Sequence, residues 1–402
     1  MNRRELLSMA AAAAPAVVAG RVWAAPAGGH RLLVVFLRGA YDAANVVIPV
    51  GSDFYYQSRP TLQIARPDPA NPNAALPLDA DWGLHPALKD SLYPLWQKKQ
   101  VAFVPFAGAG EDLSRSHFET QDTIELGQSL QGPRNYGSGF MSRLYGQLGS
   151  AQPGGVRPIA FTDQLPLTFR GGQPVPNMGV GNVGKPGVDD RQAKLIQQMY
   201  QGQPLGPAVA QGFTVRDEVY RSVSAEMVAA NRGAVSPKGF ELSARRIARL
   251  MQADYTLGFV DVGGWDTHVN EGAAQGYLAG RIGELGRGLA GFADEIGEGA
   301  WRDTTVIVVS EFGRTFRENG DKGTDHGHGS VYWVMGGSVR GGRVAGPQTA
   351  VTQASLNQNR DYPVLTDYRG LIGGVVQRAY GLGGERLQQV FPGAQARDLE
   401  LV

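Results

Sequence analysis

The segment TTVIVV at residues 304–309 is an unbroken run of β-branched residues between polar neighbours. Such a run is typical of a strand that is buried on both faces, as strands in a parallel sheet are. Two earlier runs have the same character, RLLVVFL at 31–37 and VAFVPF at 101–106. Together these runs predict a sheet in the core of the protein.

Helical patterns alternate with further strand-like runs. The additional strands are predicted at 158–162, 255–261 and 331–335. Apolar residues at helical spacing predict helices that start near 114 or 116 and at 189–201, 214–231, 239–253, 271–297 and 367–380. This alternation implies an α/β fold in which a mostly parallel sheet is sandwiched between helices. We expect an extended loop at 59–86 and turns with short strand-like pieces at 131–186.

The first residues predict a signal peptide at 1–24. Arg3 and Arg4 precede an uncharged, mostly apolar run at 6–20, and VWA at 22–24 has small residues where a signal peptidase cleaves. The paired arginines favour the twin-arginine translocase as an export partner, and therefore a periplasmic or extracellular location. The alternatives are an uncleaved anchor or an amphipathic first helix, although the run is short for a membrane span.

The composition limits the classes of partner. The chain has 402 residues, a formal net charge of +1 and no cysteine. Loss of residues 1–24 would change the charge to −1, so there is no electrostatic basis for binding nucleic acid or an anionic membrane. No later stretch is apolar enough for a stable membrane span. We expect residues 25–402 to form one domain, in which any metal would need His, Asp or Glu ligands.

Two loops combine carboxylates with imidazoles. The sequence DVGGWDTH at 261–268 follows a predicted strand and contains Asp261, Asp266 and His268. Because ligands bind beyond the carboxyl ends of parallel strands, these residues could converge on a divalent cation. The alternative is a tight loop whose aspartates cap turns.

The second loop is TDHGHGS at 324–330. It contains Asp325, His326 and His328 between glycines, which suits metal ligation with supporting hydrogen bonds. A solvated polar loop is the alternative. Glu311 follows the strand at 304–309 and lies near Arg314, so it is either a ligand or a salt-bridged structural group.

Other candidates lie after the first two long strands. Ser114 and Ser116 precede a predicted helix, whose N-terminal field suits a nucleophile or an anion, although serine is also a preferred N-cap. His117 is either part of the site or a buried polar group. Asp42 could reach the same crevice and Arg38 could hold an anionic group, with a turn or helix cap as the alternative.

Five motifs in this order resemble the bacterial DUF1501 family of the alkaline phosphatase and sulfatase superfamily. They are LRGAYDAANVV at 37–47, RSHFETQD at 115–122, DVGGWDTH at 261–268, SEFGRT at 310–315 and TDHGHGS at 324–330. The likeness covers essentially the whole chain after residue 24. It implies an alkaline-phosphatase-like domain with two metal ions beside a Ser, Thr or modified Cys nucleophile.

The resemblance also implies a ligand set. One metal would be bound by Asp261, His268 and either His326 or His328. The other would take an aspartate after the first strand, the nucleophile and an adjacent Asp-His pair. This sequence departs from that pattern, because it has Arg38-Gly39 and Glu311-Phe312 at those places. Asp42 is left as a displaced substitute for the first of them.

The leading hypothesis is an exported metal-dependent hydrolase of phosphate or sulfate esters, or of related anionic esters. Zinc is the favoured metal, with manganese, calcium or magnesium as alternatives. The expected metal ligands are Asp42, Asp261, Asp266, His268, Glu311, Asp325, His326 and His328. The expected catalytic residues are Ser114 or Ser116 as nucleophile, with Arg38, Arg115, Arg314 and His117. The alternative is a non-catalytic exported binding or assembly protein on a degenerate hydrolase scaffold, which the two departures support.

Overall fold

The computed structural model describes residues 29–151, 155–180, 190–207, 209–211 and 239–402. The predicted signal peptide and the helix predicted at 214–231 lie outside the described residues. Within the described ranges, no helix combines the length and apolar character that crossing a bilayer requires.

Strands and helices alternate along most of the described chain. The strands are β1 (Arg31–Leu37), β2 (Val47–Ile48), β3 (Leu76–Pro77), β4 (Gly83–Leu84), β5 (Val101–Gly108), β6 (Pro158–Ala160), β7 (Leu257–Val262), β8 (Thr304–Ser310), β9 (Ser330–Met335), β10 (Arg343–Val344) and β11 (Thr366–Asp367). The α-helices are α1 (Asp53–Ser58), α2 (Leu92–Gln97), α3 (His117–Leu126), α4 (Phe140–Ala151), α5 (Asp190–Met199), α6 (Phe240–Ala253), α7 (Tyr277–Glu295), α8 (Glu298–Arg302), α9 (Tyr368–Tyr380) and α10 (Gly384–Val390).

The large sheet has the strand order β10-β5-β9-β8-β1-β7-β6, and β11 pairs with the end of β5. β1 is parallel to both of its neighbours, β7 and β8. Among the described strands of this sheet, only β9 is antiparallel to its neighbours, β5 and β8. The carboxyl ends of β1, β5, β7 and β8 therefore share one edge with the amino end of β9. This edge carries the candidate residues.

The core has two layers, one on each face of the sheet. Alternation along β1 sends Leu33 and Val35 to one face, where they pack with apolar residues of α6 and α7. It sends Leu32 and Val34 to the other face, where they pack with α4 and α9. The predicted α/β class and the mostly parallel sheet between helices are therefore confirmed.

The structure differs from the sequence-based expectations at three places. The predicted loop at 59–86 contains β3 and β4, which form a small antiparallel sheet with β2. The region 131–186, predicted as turns and short strands, contains α4. The helix expected at 271–297 begins only at Tyr277, because Gly272 and Gly276 have φ values of 84° and 120°, which are incompatible with a right-handed helix.

His85 is a buried histidine that anchors the turn Pro86–Leu88 beneath α7. Its Nδ1 accepts a hydrogen bond from the Ala87 amide at 3.0 Å, and its Nε2 lies 3.1 Å from the Ala273 carbonyl. These partners assign the neutral tautomer with the proton on Nε2. Burial lowers the pKa of His85 to about 4, although the Ala273 carbonyl acts in the opposite sense.

We expect His85 to make the protein less stable in mild acid. The unfolded chain takes up a proton on this imidazole below pH 6.5 whereas the folded chain resists protonation down to about pH 4. Between these values the free energy of unfolding should fall by about 1.4 kcal/mol per pH unit from this group as the pH decreases. Urea denaturation at several pH values should show a shallower dependence for His85→Asn, which keeps an acceptor for Ala87. An unchanged slope in that variant would contradict the assignment.

Candidate metal centre

Three side chains from separate loops meet at the edge of the sheet defined above. They are His117 at the start of α3, Asp266 in the loop after β7 and His326 in the loop before β9. One ligand atom from each lies within 4.8 Å of the other two. His117 Nε2 is 3.6 Å from Asp266 Oδ2, and His326 Nε2 is 3.6 Å from Asp266 Oδ1. In the part of the chain that the structure describes, no other group of His, Asp and Glu has this geometry.

A third imidazole lies beside this group. His268 Nε2 is 2.9 Å from Asp266 Oδ1 and 3.1 Å from His326 Nε2. We refer to His117, Asp266, His268 and His326 as the cluster. Its side chains come from the motifs at 115–122, 261–268 and 324–330, so loops that are distant in sequence do converge at one crevice.

The three histidines of the cluster share one orientation. In each, Nδ1 faces an oxygen atom and Nε2 faces Asp266. The Nδ1 contacts are His117 to Glu311 Oε1 at 2.8 Å, His268 to Asp325 Oδ1 at 3.2 Å and His326 to the Arg115 carbonyl at 2.9 Å. A carboxylate or carbonyl oxygen can only accept, so in His117 and His326 these contacts assign the proton to Nδ1 and leave a lone pair on Nε2, whereas both ring nitrogens of His268 face a carboxylate oxygen. This is the arrangement of metal-binding histidines.

The cluster fits a divalent metal ion in spacing and in chemistry. Ligands bound to one zinc ion at about 2.0–2.2 Å can be up to about 4 Å apart, and the contacts to Asp266 fall within that limit. The Nε2 of His117 is buried and has no hydrogen-bond partner among the described residues. The Nε2 atoms of His268 and His326 are 3.1 Å apart, a contact that needs a proton or a cation between the two nitrogens.

Glu311 at the end of β8 is a support for the cluster rather than a member of it. Its Oε1 accepts hydrogen bonds from His117 Nδ1, the Gly39 amide and Gln121 Nε2 at 2.8–2.9 Å. Its Oε2 accepts one from Ser310 Oγ at 2.9 Å. Burial acts to raise the pKa of Glu311, but these hydrogen bonds outweigh it and keep the pKa below its ordinary value. Glu311 thus acts on the cluster through His117.

Arg38 and Asp261 bind each other beside the cluster. Arg38 Nε donates to Asp261 Oδ2 at 2.7 Å, and its two terminal nitrogens donate to Gln121 and Glu125 at 2.9 and 2.8 Å. Burial acts to lower the pKa of Arg38, but the carboxylates outweigh it and raise the pKa above its ordinary value. Arg38, which was expected to hold a substrate, therefore binds protein groups instead. Asp261, which was expected to bind a metal, is the counter-ion of Arg38.

Asp42 lies in a separate buried ion pair. Both of its carboxylate oxygens accept hydrogen bonds from Arg59, and both side chains are inaccessible to solvent. Burial acts to raise the pKa of Asp42, but the charge of Arg59 outweighs it and lowers the pKa. The structure therefore does not bring the expected ligand Asp42 to the cluster.

Asp325 and His328 do not join the cluster either. Asp325 accepts from His268, as described, and from Asn319 Nδ2 at 3.1 Å, so it orients an imidazole. His328 is buried near Asp112 and Asp361, and burial lowers its pKa. Of the residues expected to bind one metal, Asp261, His268 and either His326 or His328, the cluster contains His268 and His326.

The two candidate serines stabilise the segment before α3. Ser114 Oγ donates to Asp112 Oδ1 at 2.6 Å. Ser116 is the N-cap of α3, and its Oγ accepts from the Glu119 amide at 3.4 Å. The N-cap alternative is therefore confirmed for Ser116, and each hydroxyl group has a protein partner.

Arg115 and Arg314 are also committed to internal partners. Arg115 Nε donates to Asp361 Oδ2 at 2.9 Å. The buried guanidinium of Arg314 donates to backbone carbonyls, including that of Ala40, and to Asp266 Oδ1. Partial burial acts to raise the pKa of Asp266, but the hydrogen bond and charge of Arg314 outweigh it and lower the pKa. Arg314 thus keeps the carboxylate of the cluster ionised and oriented.

The loops after β8 and before β9 pair through their backbones. The Thr315 amide donates to the Asp325 carbonyl at 2.8 Å, the Gly327 amide to the Gly313 carbonyl at 2.8 Å and the Gly313 amide to the His328 carbonyl at 2.9 Å. A Cβ on Gly313 would overlap the carbonyl of Gly329, and a Cβ on Gly327 would overlap the backbone of Arg314. The glycines in both motifs are therefore required by this close approach.

Several supporting residues were not singled out from the sequence. Gln121 and Glu125 follow His117 at intervals of four, which places all three on one face of α3. That spacing was a usable signal. Asn319, which contacts Asp325 and the His268 carbonyl, gave no comparable pattern. The same is true of Arg360, whose half-exposed guanidinium donates to the His326 carbonyl at 3.1 Å.

Comparison with known proteins assigns the family. A family model described as "Protein of unknown function (DUF1501)" matches residues 29–391, so the chain belongs to the DUF1501 family, as its five motifs predicted. Among curated proteins, none is significantly similar in sequence.

Two solved structures illustrate what the chain is similar to. One is a protein in the alkaline phosphatase superfamily from Vibrio parahaemolyticus, with 13% identity over 79% of this chain and 62% of that chain and a TM-score of 0.35. The chain thus spans less than two thirds of that protein's length. The other is the lipoteichoic acid synthase LtaP from Listeria monocytogenes, with 9% identity over 93% of this chain and 76% of that chain and a TM-score of 0.35.

We expect Gly327→Ala to destabilise the protein by about 1–3 kcal/mol, the usual cost of overpacking, because the added methyl group collides with the backbone of Arg314. Urea denaturation would measure the loss. The matched control is Gly320→Ala, since a Cβ at that exposed position meets nothing within 4 Å. Equal stability of the two variants would show that the close pairing of the loops is not required.

Proposed function

We propose that this DUF1501 protein is a metal-dependent hydrolase of phosphate or sulfate esters, or of related anionic esters. The observation that carries the proposal is the common orientation of three imidazoles, each with Nδ1 held by an oxygen atom and Nε2 directed toward Asp266. The sequence resemblance to the alkaline phosphatase and sulfatase superfamily supports the choice of reaction class.

The four residues of the cluster would hold the metal. Three imidazole nitrogens and one carboxylate oxygen suit zinc better than magnesium or calcium, which prefer oxygen ligands. An ion bound there supplies Lewis acidity toward an anionic ester. The protein keeps the ligands in their binding state: Arg314 holds Asp266 ionised, and burial lowers the pKa of His326, which favours its neutral form.

The charged groups around the cluster support an anionic substrate. Arg38, Arg115 and Arg314 are committed to protein partners, so they stabilise the site rather than a substrate directly. Arg360 is more exposed: its side chain is 47% accessible, its guanidinium lies at the backbone of His326, and its ion pair with Asp361 is long, at 3.8 Å. We assign to Arg360 the role of attracting the anionic group of the ester.

The hydrogen bonds of the serines favour water as the attacking group. Ser116 Oγ is occupied as an N-cap, and Ser114 Oγ donates to Asp112, whose pKa is lowered because the hydrogen bonds of Ser114 and Thr123 outweigh the effect of burial. A carboxylate with a lowered pKa is a weak base for removing the serine proton. Serine attack is the alternative that the kinetic test below addresses.

The sequence supports export as part of the proposal. Residues 1–24 have the paired arginines, the apolar run and the small residues of a twin-arginine signal peptide. Export would place the mature chain, residues 25–402, in the periplasm or outside the cell.

A non-catalytic binding or assembly protein is the second candidate. It is favoured by the engagement of Asp42 with Arg59, because the substitute ligand for a second metal has no free carboxylate oxygen. Two-metal phosphoryl transfer in its usual form is therefore unsupported by this chain.

We expect His117→Ala to lose the metal. After equilibration with zinc and dialysis, the wild-type protein should retain about one ion per chain, as a four-ligand site does. Loss of a residue that only supports a ligand weakens metal binding roughly 10–100-fold, so loss of the ligand His117 should weaken zinc binding by at least that factor. Elemental analysis measures both. His30→Ala is the matched control, because His30 contacts Thr305 in β8 instead of the cluster. Zinc retention by His117→Ala would remove the assignment.

We expect the protein to hydrolyse an aryl phosphate or an aryl sulfate and to lose turnover when chelated. Loss of an attacking serine costs on the order of 10⁶ in kcat, so Ser114→Ala and Ser116→Ala should each keep most of the activity if water attacks. Release of nitrophenol measures turnover. Zinc binding without turnover of either ester would favour the binding protein, and collapse of kcat in one serine variant would identify a nucleophile.

A further inference from the structure

Glu271 is a fully buried carboxyl group close to the cluster. Its Oε2 accepts hydrogen bonds from Thr267 Oγ1 at 2.9 Å and from Thr324 Oγ1 at 2.7 Å. Thr267 stands between Asp266 and His268, and Thr324 precedes His326 by two positions. One carboxyl oxygen therefore joins the two loops that supply three of the four cluster residues.

Backbone contacts surround this junction. The Thr324 amide donates to the Thr267 carbonyl at 3.1 Å, and the Glu271 amide donates to the Lys322 carbonyl at 2.9 Å. Each loop is thus held against the other by its main chain. The side chain of Glu271 also spans both loops and binds a threonine in each of them.

The surroundings of the second oxygen of Glu271 disfavour its charged form. Oε1 is buried, is acted on by the charge of Asp42 and has no hydrogen-bond partner among the described residues. Asp42 is ionised and paired with Arg59, so two charged carboxylates would repel each other here. Burial and the charge of Asp42 raise the pKa of Glu271 well above its ordinary value. These surroundings favour the neutral form of the carboxyl group, whose donor and acceptor atoms a glutamine amide would match.

We propose that Glu271 is a positioning residue of the metal centre. By binding Thr267 and Thr324 it sets the separation of the two loops, and hence the distances among Asp266, His268 and His326. The inference rests on the proposed metal centre. A neutral carboxyl group has the same donor and acceptor pattern as a carboxamide, so Glu271→Gln should preserve the junction and Glu271→Ala should break it.

The experiment measures binding of zinc by competition with a chelator, and the visible absorption of the protein loaded with Co²⁺. We expect Glu271→Ala to weaken zinc binding about 10–100-fold, the usual cost of a lost supporting contact, and to alter the Co²⁺ spectrum. Glu271→Gln should stay within about threefold of wild type, because the carboxamide keeps an oxygen that accepts from both threonines. Glu241→Ala is the matched control, because Glu241 is a buried carboxylate whose partners are Arg245 and Arg287.

A second variant covers the case in which Glu271→Ala does not fold. The double substitution Thr267→Val and Thr324→Val keeps the carboxyl group and the side-chain volume but removes both donors, and it should weaken zinc binding to a similar extent. Wild-type affinity and spectrum in either of these variants, or failure of Glu271→Gln to rescue binding, would overturn the role of Glu271. Absence of zinc and Co²⁺ binding by the wild-type protein would instead overturn the metal centre itself.

Discussion

The buried carboxylate of Glu311 is the interaction on which the rest of the site depends. An ionised carboxylate without solvent is costly by several kcal/mol unless hydrogen bonds compensate it. Four donors do so: two from α3, one from the chain after β1 and one from Ser310 in the preceding strand. The burial of one charge therefore fixes the ends of β1 and β8 and the first turn of α3 relative to each other. It also sets the tautomer of His117, whose remaining nitrogen can only face the cluster.

The long strands of the large sheet could be predicted from the sequence. They are buried on both faces and therefore appear as unbroken apolar runs. The run at 31–37 coincides with β1, and the run at 304–309 lies within β8. The helix α4 was missed because Gly146 and Gly149 interrupt its apolar pattern, and its burial against the sheet outweighs their low helical propensity. The local sequence pattern also could not predict that β9 runs antiparallel to its neighbours. Its reversal depends on pairing with β5 and β8, and it is this reversal that brings the loop with His326 to the site.

The candidate site was predicted as a set of residue types but not as a set of roles. The sequence does not distinguish the roles of the carboxylates that follow a strand. Asp266 belongs to the cluster, whereas Asp261 binds Arg38. The difference depends on which side chain lies opposite each one, and that is a property of the folded chain. The intervals between His117, Gln121 and Glu125 carried more information than their identities, because helical spacing places them on one face.

Two buried carboxyl groups support the cluster, and their surroundings shift their pKa values in opposite directions. Glu311 is surrounded by donors, which lower its pKa, and as an anion it holds the proton of His117. Burial and the charge of Asp42 raise the pKa of Glu271, whose Oε2 accepts hydrogen bonds from two threonines. The surroundings thus favour the charged form of the carboxyl group that polarises a ligand and disfavour it in the one beside Asp42. Glu311, Glu271 and Asp42 are all buried near the cluster. The protein groups around each carboxyl, and not solvent, decide which form of it is favoured.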